Sequence, residues 1–518
     1  MLKSFARGIQ AQSQRASTVT VAAPTGGWNA RDALGAMDPL DAVTLENWWP
    51  GTNSVILRAG YTKWATGFTD QVETIMVYNG PTSSKMFAIS DGNIYDITAG
   101  GEIGAASVTG LSNSRWQYVN LTTTGGSYLV AVNGVDDARF FDGTSWHTEG
   151  TGAPYNWSGV TSSDMNNITV FKNRIWLIQN DSLRASYGPV DSIGGTFQHL
   201  EMRGVMQKGG YLVAAMTWTL DAGYGMDDYL AFISSEGEVA VWKLDDPTSV
   251  TGISLIGVYQ LGTPIGKRCY IKYGGDLLII TQDGVVPMSG SLQSSRLDPR
   301  VSITNKIQFA VSQAISSYSD NFGWQLLYFP KENQLYLNVP VSEGSNQQQY
   351  VQNNITQSWC QFTGWQANCW DLFEDNPYFG GSNYVGKAWD GYDDAESAIQ
   401  AFGLQSFQSY GSATQKQVRM IRFHFFSAGS NQTAYGNVNV DYDLSDTTSP
   451  IYVLGSTVWD SGIWDDSPWG AGPTNVLADW QGATGIGYTF APIVKSATKG
   501  LPLQWIATDM VFEVGGVL

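Results

Sequence analysis

Seven segments share one pattern: an apolar strand, a short polar turn usually containing Gly, and a second apolar or aromatic strand. They read FAISDGNIYDI (87–97), LVAVNGVDDARFFDGTSW (129–146), ITVFKNRIWLI (168–178), LAFISSEGEVAVW (230–242), LLIITQDGVVPMS (277–289), LLYFPKENQLYLNV (326–339) and YFGGSNYVGKAWDG (378–391). Asp-Gly, Asn-Gly and Glu-Gly supply the positive φ of tight hairpin turns, and the flanks suit half-buried strands. Each segment therefore predicts a hairpin.

With Gly92, Gly134, Asn173, Gly237, Gly284, Asn333 and Gly381 as turn centres, the intervals are 42, 39, 64, 47, 49 and 48 residues. A four-stranded propeller blade takes roughly 40 to 50 residues. The spacing predicts an all-β chain: a β-propeller of about seven irregular blades over 26–400, with an insertion near 180–230 filling the long interval. A sandwich or solenoid of irregular hairpins is the competing reading. Beyond residue 400 the pattern changes to long amphipathic strands, QVRMIRFHFF (417–426) and GNVNVDYD (436–443), and to the Trp- and Asp-rich loop VWDSGIWDDSPWG (458–470). A separate C-terminal β-domain is expected over 401–518.

GGWNARDALGAMDPLDAVTLENWWPGTNSVILRAGY (26–61) precedes the hairpins as a fastening segment. Asp38 before Pro39, with Asp41 in the first turn, predicts a short helix that stops before Pro50, and Val55 to Arg58 starts a strand. Trp28, Trp48 and Trp49 suit buried packing and are also candidate assembly contacts. Residues 1–25 read as a flexible arm whose Lys3, Arg7 and Arg15 are candidate assembly contacts. A transit peptide is the other reading of that acid-free start.

Composition agrees with strands: 58 glycines, 13% aromatic and only 14% charged residues among 518. Cys269, Cys360 and Cys369 are too few for a disulfide framework, which points to a reducing compartment. No run reaches the roughly 18 apolar residues of a membrane helix, so no stable membrane insertion is expected.

Net charge is −18 and unevenly spread. Seven carboxylates stand between Asp371 and Glu396 against Lys387 alone, and seven aspartates between Val440 and Trp480 face no Lys or Arg. A protein that grips nucleic acid by neutralising phosphates has the opposite balance.

Catalytic and ligand-binding patterns are missing. GGSNYVGKAW has phosphate-loop spacing, but Ala388 replaces the hydroxyl residue that would hold magnesium, and GTPIGKR (262–268) is one residue short; both read as turns. His147, His199 and His424 are isolated, and no nucleophile elbow occurs. Asp390, Asp393, Asp394 and Glu396 read as a solvated acidic loop ahead of a calcium site. The sequence calls for no catalytic residues, cofactor or metal, and for a protein that is not an enzyme.

The opening stretch, GGDLLIITQDGVVPMS (274–289) and the terminus FEVGGVL (512–518) together resemble the tail nozzle proteins of short-tailed bacteriophages, the tail tubular protein B group. The close match covers roughly 60 residues, mostly near the N-terminus. The resemblance implies a propeller in each subunit of a homohexameric ring below the tail adaptor, near tail fibres or spikes, located in the virion tail and assembled in the bacterial cytoplasm. It further implies a conduit for the genome, with double-stranded DNA in transient passage and no specific binding. An acidic wall repels DNA and keeps it centred. The candidate wall residues are Asp371, Glu374, Asp375, Asp390, Asp393, Asp394, Asp441, Asp443, Asp446, Asp465 and Asp466. A glycan- or host-receptor-binding propeller is the alternative, and a glycosidase on the same scaffold a third reading.

Overall fold

The computed structural model describes residues 16–221, 226–291, 299–411, 413–427, 432–445, 451–454, 474–477 and 480–514. They fall into two compact units: 58–397, and the flanks up to Leu57 and from Ala398 taken together.

The 58–397 unit is a seven-bladed β-propeller. The innermost strands of its blades are, in chain order, Val72–Asn79, Gln117–Thr123, Met165–Phe171, Leu212–Asp221, Tyr270–Tyr273, Gln325–Phe329 and Cys369–Phe373, each followed by an antiparallel meander. Shared hydrophobic cores join adjacent sheets into a ring. Met76 and Phe87 of blade 1 pack with Leu129 and Phe141 of blade 2, and Val130 and Phe140 of blade 2 with Ile168 and Leu177 of blade 3. The same alternation ties blade 3 to 4 through Trp176 and Phe232, and blade 4 to 5 through Val241 and Ile279. Tyr273 meets Tyr328 at 5.1 Å between blades 5 and 6, Tyr336 stacks on Trp370 at 5.4 Å between 6 and 7, and Val77 with Phe373 joins 7 to 1. Each strand sends alternate side chains to opposite faces, so every blade feeds two of these cores.

The ring closes by strand exchange between its ends. Tyr61–Thr66 pairs antiparallel with Tyr384–Ala388 as the outer strand of the seventh blade. Beside it, Arg58, fully buried, donates to both carboxylate oxygens of Asp394 at 2.8 and 2.6 Å and to the carbonyls of Ala59 and Thr363. Its guanidinium lies 4.7 Å from the ring centre of Trp365. Gly60 is required here: a Cβ on it would lie 1.7 Å from the Asp393 carbonyl oxygen.

The strands of the flanks lie in two sheets. In one, Lys416–Ser427 and Leu503–Val514 run antiparallel with Val55–Leu57, Trp48–Pro50, Ser17–Ala22 and Gln481–Gly487 around them. In the other, Asp41–Glu46, Ile399–Gln405, Phe490–Thr498 and Gln432–Val440 are neighbours. Gly403 of the second sheet leaves room for Trp48 and Trp505 of the first, so the two sheets pack as a sandwich.

Four expectations are corrected. Residues 26–57 pair with the C-terminal strands and belong to the sandwich, not to the propeller. Ser17–Ala22, assigned to a flexible arm, is a strand in register with Ala507 to Phe512. The stretch expected to be helical holds the strand Asp41–Glu46, because Asp38 closes a turn through the Leu40 and Asp41 amides and the β-branched run pairs with Ile399–Gln405. Among the described residues of 180–230 there is no insertion: they supply strands of blades 3 and 4. Asn173 turns between the first and second strands of blade 3 while Gly237 turns between the second and third of blade 4, which lengthens the apparent interval. The added segment instead lies between blades 5 and 6 and carries the helix Gln308–Tyr318.

Candidate functional site: the axial cavity of the propeller

The innermost strands of six blades line a cavity of about 560 Å³ on the propeller axis. A second space of about 290 Å³ shares Gln117, Lys267 and Arg268 with it and forms its mouth among the blade-to-blade connections, including Arg115 and Phe322. Arg115, Lys267, Arg268 and Lys272 are the cations of the two spaces, against the carboxylates Asp371 and Asp320. This is a local excess of positive charge in a chain of net charge −18.

The meander places each group. Gly266, at φ 73°, turns the chain so that Lys267 and Arg268 enter the innermost strand of blade 5. Arg268 donates to Thr74 Oγ1 at 2.8 Å and to the carbonyls of Trp116 and Glu73 at 3.1 and 3.2 Å, crossing from blade 5 to blades 1 and 2. Phe322 lies beneath both Arg115 and Arg268, its ring centre 4.2 and 5.4 Å from their guanidinium carbons. Arg115 also pairs with Glu73 and Glu343.

On the opposite wall the Tyr118 hydroxyl donates to Asp371 at 2.6 Å, and the Leu372 amide donates to the same carboxylate. Burial pushes the Asp371 carboxyl up to about 6 against the opposing pull of Tyr118, Leu372 and Arg268, and burial likewise pushes the Tyr118 phenol well up. Lys267 is exposed to solvent, yet partial desolvation and the nearby Arg115 charge depress its pKa against the opposing pull of Asp181. It makes no hydrogen bond or ion pair with the described residues. The arrangement holds a cation without a hydrogen-bond partner, tyrosine rings and amides around a polar space that opens to solvent, which is chemistry for binding a small anion.

The structure distributes the acidic wall candidates. Asp371 is in the axial cavity and Asp394 is committed to Arg58, so neither is a free surface carboxylate. Asp390 accepts from Thr62, and Asp393 accepts from the Glu396 amide beside the closure. Glu374 and Asp375 are exposed on a hairpin turn with φ of 49° and 58°. Asp441 and Asp443, in the sandwich unit, are exposed and accept from local amides. Trp28, Trp48 and Trp49 are all buried, which makes them packing residues and not exposed contacts. Lys3, Arg7, Arg15, Asp446, Asp465 and Asp466 lie outside the described residues, as does the 458–470 loop.

Sequence reasoning missed Lys267, Arg268, Lys272 and Tyr118. GTPIGKR is a connection as expected, but its basic pair is the cationic element of the cavity; the available signal was an adjacent Lys-Arg directly before an inner strand of an acidic chain. The three cysteines are free and buried, and burial pushes the Cys269 and Cys369 thiols up to about 12. Among the described residues no three His, Cys, Asp or Glu side chains are grouped for a metal ion, and no helix is long and apolar enough to cross a membrane.

No protein-family model and no curated protein matches the chain. Among solved structures, it is similar to YCF48 bound to D1 peptide, at 12% identity and TM-score 0.38, over 64% of this chain and 94% of that one. It is also similar to YCF48 from Cyanidioschyzon merolae, at 12% identity and TM-score 0.36, over 64% and 98%. BBS1N in complex with ARL6DN aligns at 12% identity and TM-score 0.28, over 42% of this chain and 63% of that one, so the chain spans less than two thirds of its length. These likenesses carry no functional argument.

Proposed function

We propose that the chain is a structural subunit of a bacteriophage tail, six copies of which form a nozzle through which genomic DNA is retained and ejected. The observation that carries the reading is the architecture: a ring-closed propeller joined to a second β-domain, matching the kind of subunit implied by the motifs in 26–61, 274–289 and 512–518. The chain's strong negative charge supports passage without binding. Duplex DNA, whose major groove alone is about 12 Å wide, does not fit a cavity of about 560 Å³. The conduit in this proposal is therefore enclosed by the ring of subunits, with the exposed Glu374, Asp375, Asp441 and Asp443 as wall candidates. The adaptor ring and tail fibres or spikes are its partners, and the virion tail is its location.

Quantitative mass spectrometry of purified DNA-filled particles tests the stoichiometry. Six copies for each single-copy tail axis support the nozzle. A copy number that follows the peripheral appendages favours the alternative, a glycan- or host-receptor-binding propeller, for which the tyrosine- and amide-lined axial cavity is the supporting observation.

A further inference from the structure

The axial cavity has a ligand-binding composition that a structural subunit does not need. Its volume of about 560 Å³ lies in the range of small-molecule sites, which span roughly 300–1,000 Å³. Three of its walls are already satisfied: Arg268 is held by Thr74 and two carbonyls, Gln325 by both backbone polar groups of Trp370, and Asn120 by Val77 and Asn79. These groups fix the shape. Lys267 is left over, an exposed cation shared by cavity and mouth with no hydrogen bond or ion pair to the described residues, Asp181 being the opposite charge that acts on it from a distance. Lys272, on the innermost strand of blade 5, makes only a long 3.4 Å bond to Thr219 Oγ1.

We propose that the cavity binds a sugar-sized organic oxyanion, with the phosphate or carboxylate on Lys267 and the hydroxylated body between Tyr118, Gln117 and Asp371. The chemistry follows from the donors present. An ammonium with no hydrogen-bond partner gains a charge-assisted hydrogen bond from an oxyanion, and Arg268 adds positive potential from its fixed position. Asp371 and the Gln117 side chain offer an acceptor and an amide to hydroxyl groups. A neutral sugar leaves Lys267 unpaired. A larger polyanion such as DNA is excluded by the size of the space. The proposal concerns the cavity alone and does not rest on the tail reading: a chain located anywhere in the particle can pass or fail the test below.

Isothermal titration calorimetry of the full chain with glucose 6-phosphate, glucuronate and glucose, each at millimolar concentration, reads it directly. The expected result is saturable one-site binding of at least one acidic sugar and none of glucose, the phosphate and carboxylate arms naming the anion. Lys267→Met weakens that binding about tenfold or more, while Lys267→Arg, which keeps the charge, retains it. Circular dichroism and thermal melting establish that both variants are folded; Lys267 is exposed to solvent, so neither substitution opens a core. Failure of both acidic sugars to bind more tightly than glucose overturns the proposal, as does a folded Lys267→Met chain with the parent's affinity.

Discussion

Arg58 and Asp394 stand 336 positions apart in sequence and meet as a two-point ion pair at 2.8 and 2.6 Å, with the guanidinium buried and the carboxylate nearly so. Removing one partner of such a pair strands a buried charge and costs about 3–5 kcal/mol. Asp394→Ala is therefore expected to lower the unfolding free energy of the propeller by that amount in a denaturant titration. The double variant Arg58→Met/Asp394→Ala loses less than the sum of the two single changes. Two other carboxylates give opposite pH signatures. Asp371 is raised to about 6 chiefly by burial, so between about pH 4 and pH 6 the folded state holds a proton that the unfolded state has lost, and stability falls as pH rises. Asp371→Asn keeps an acceptor for Tyr118 and is expected to melt higher relative to the parent at pH 7 than at pH 4. Asp509 is the reverse case. Burial opposes its charge, but hydrogen bonds from Thr20, His424 and Arg422 override it and hold the carboxyl at about 2. Its stabilisation is present above about pH 4 and is lost as pH falls from about 4 to 2. Asp509→Asn removes roughly 2 kcal/mol at neutral pH, and its stability changes less than the parent's across that acid window.

At the scale of elements, Asp509 also explains why Ser17–Ala22 is a strand. Thr20 donates to its carboxylate from that strand while Arg422 and His424 reach it from the neighbouring one, so three strands share one anchor. Hydrogen exchange of the Asp509→Asn variant should show faster exchange at the Val19 and Val21 amides, which face Met510 and Thr508 at the hydrogen-bonded positions of the ladder, with the propeller strands 72–90 unchanged. The hairpins were legible because their signal is local: Asp-Gly or Asn-Gly between alternating apolar residues specifies a turn wherever it occurs, and Gly92, Gly134, Gly237 and Gly284 all adopt positive φ. Which strand of a blade each hairpin supplies is not local, and Asn173 shows the consequence, since its turn joins a different strand pair from that of Gly237. DAVTLE was misread for a similar reason. Its caps suited a helix, and its strand state comes from Ile399–Gln405, more than 350 positions away. The cavity was less legible than the blades, because Lys267, Tyr118 and Asp371 come from three blades and no spacing in the chain relates them.

On the scale of the whole molecule, the two ends of the chain build one unit and the propeller is carried between Leu57 and Ala398. The propeller's first and last strands pair with each other, so its ring is closed before any other copy of the chain is engaged. Charge is partitioned as well: the chain carries −18 overall while the axial cavity gathers Lys267, Arg268 and Lys272. In the proposed tail assembly, a conduit built from several copies would keep DNA away from these interior cations and present it with exposed carboxylates, for which Glu374, Asp375, Asp441 and Asp443 are the described candidates. Cryo-electron microscopy of DNA-filled particles, with six-fold averaging along the tail axis, tests this most directly. The account predicts six copies of this chain as a tube below the adaptor, with carboxylates facing the lumen and the propeller axes closed to DNA. Density for the chain only on peripheral appendages, or a lumen lined by lysine and arginine, would contradict it.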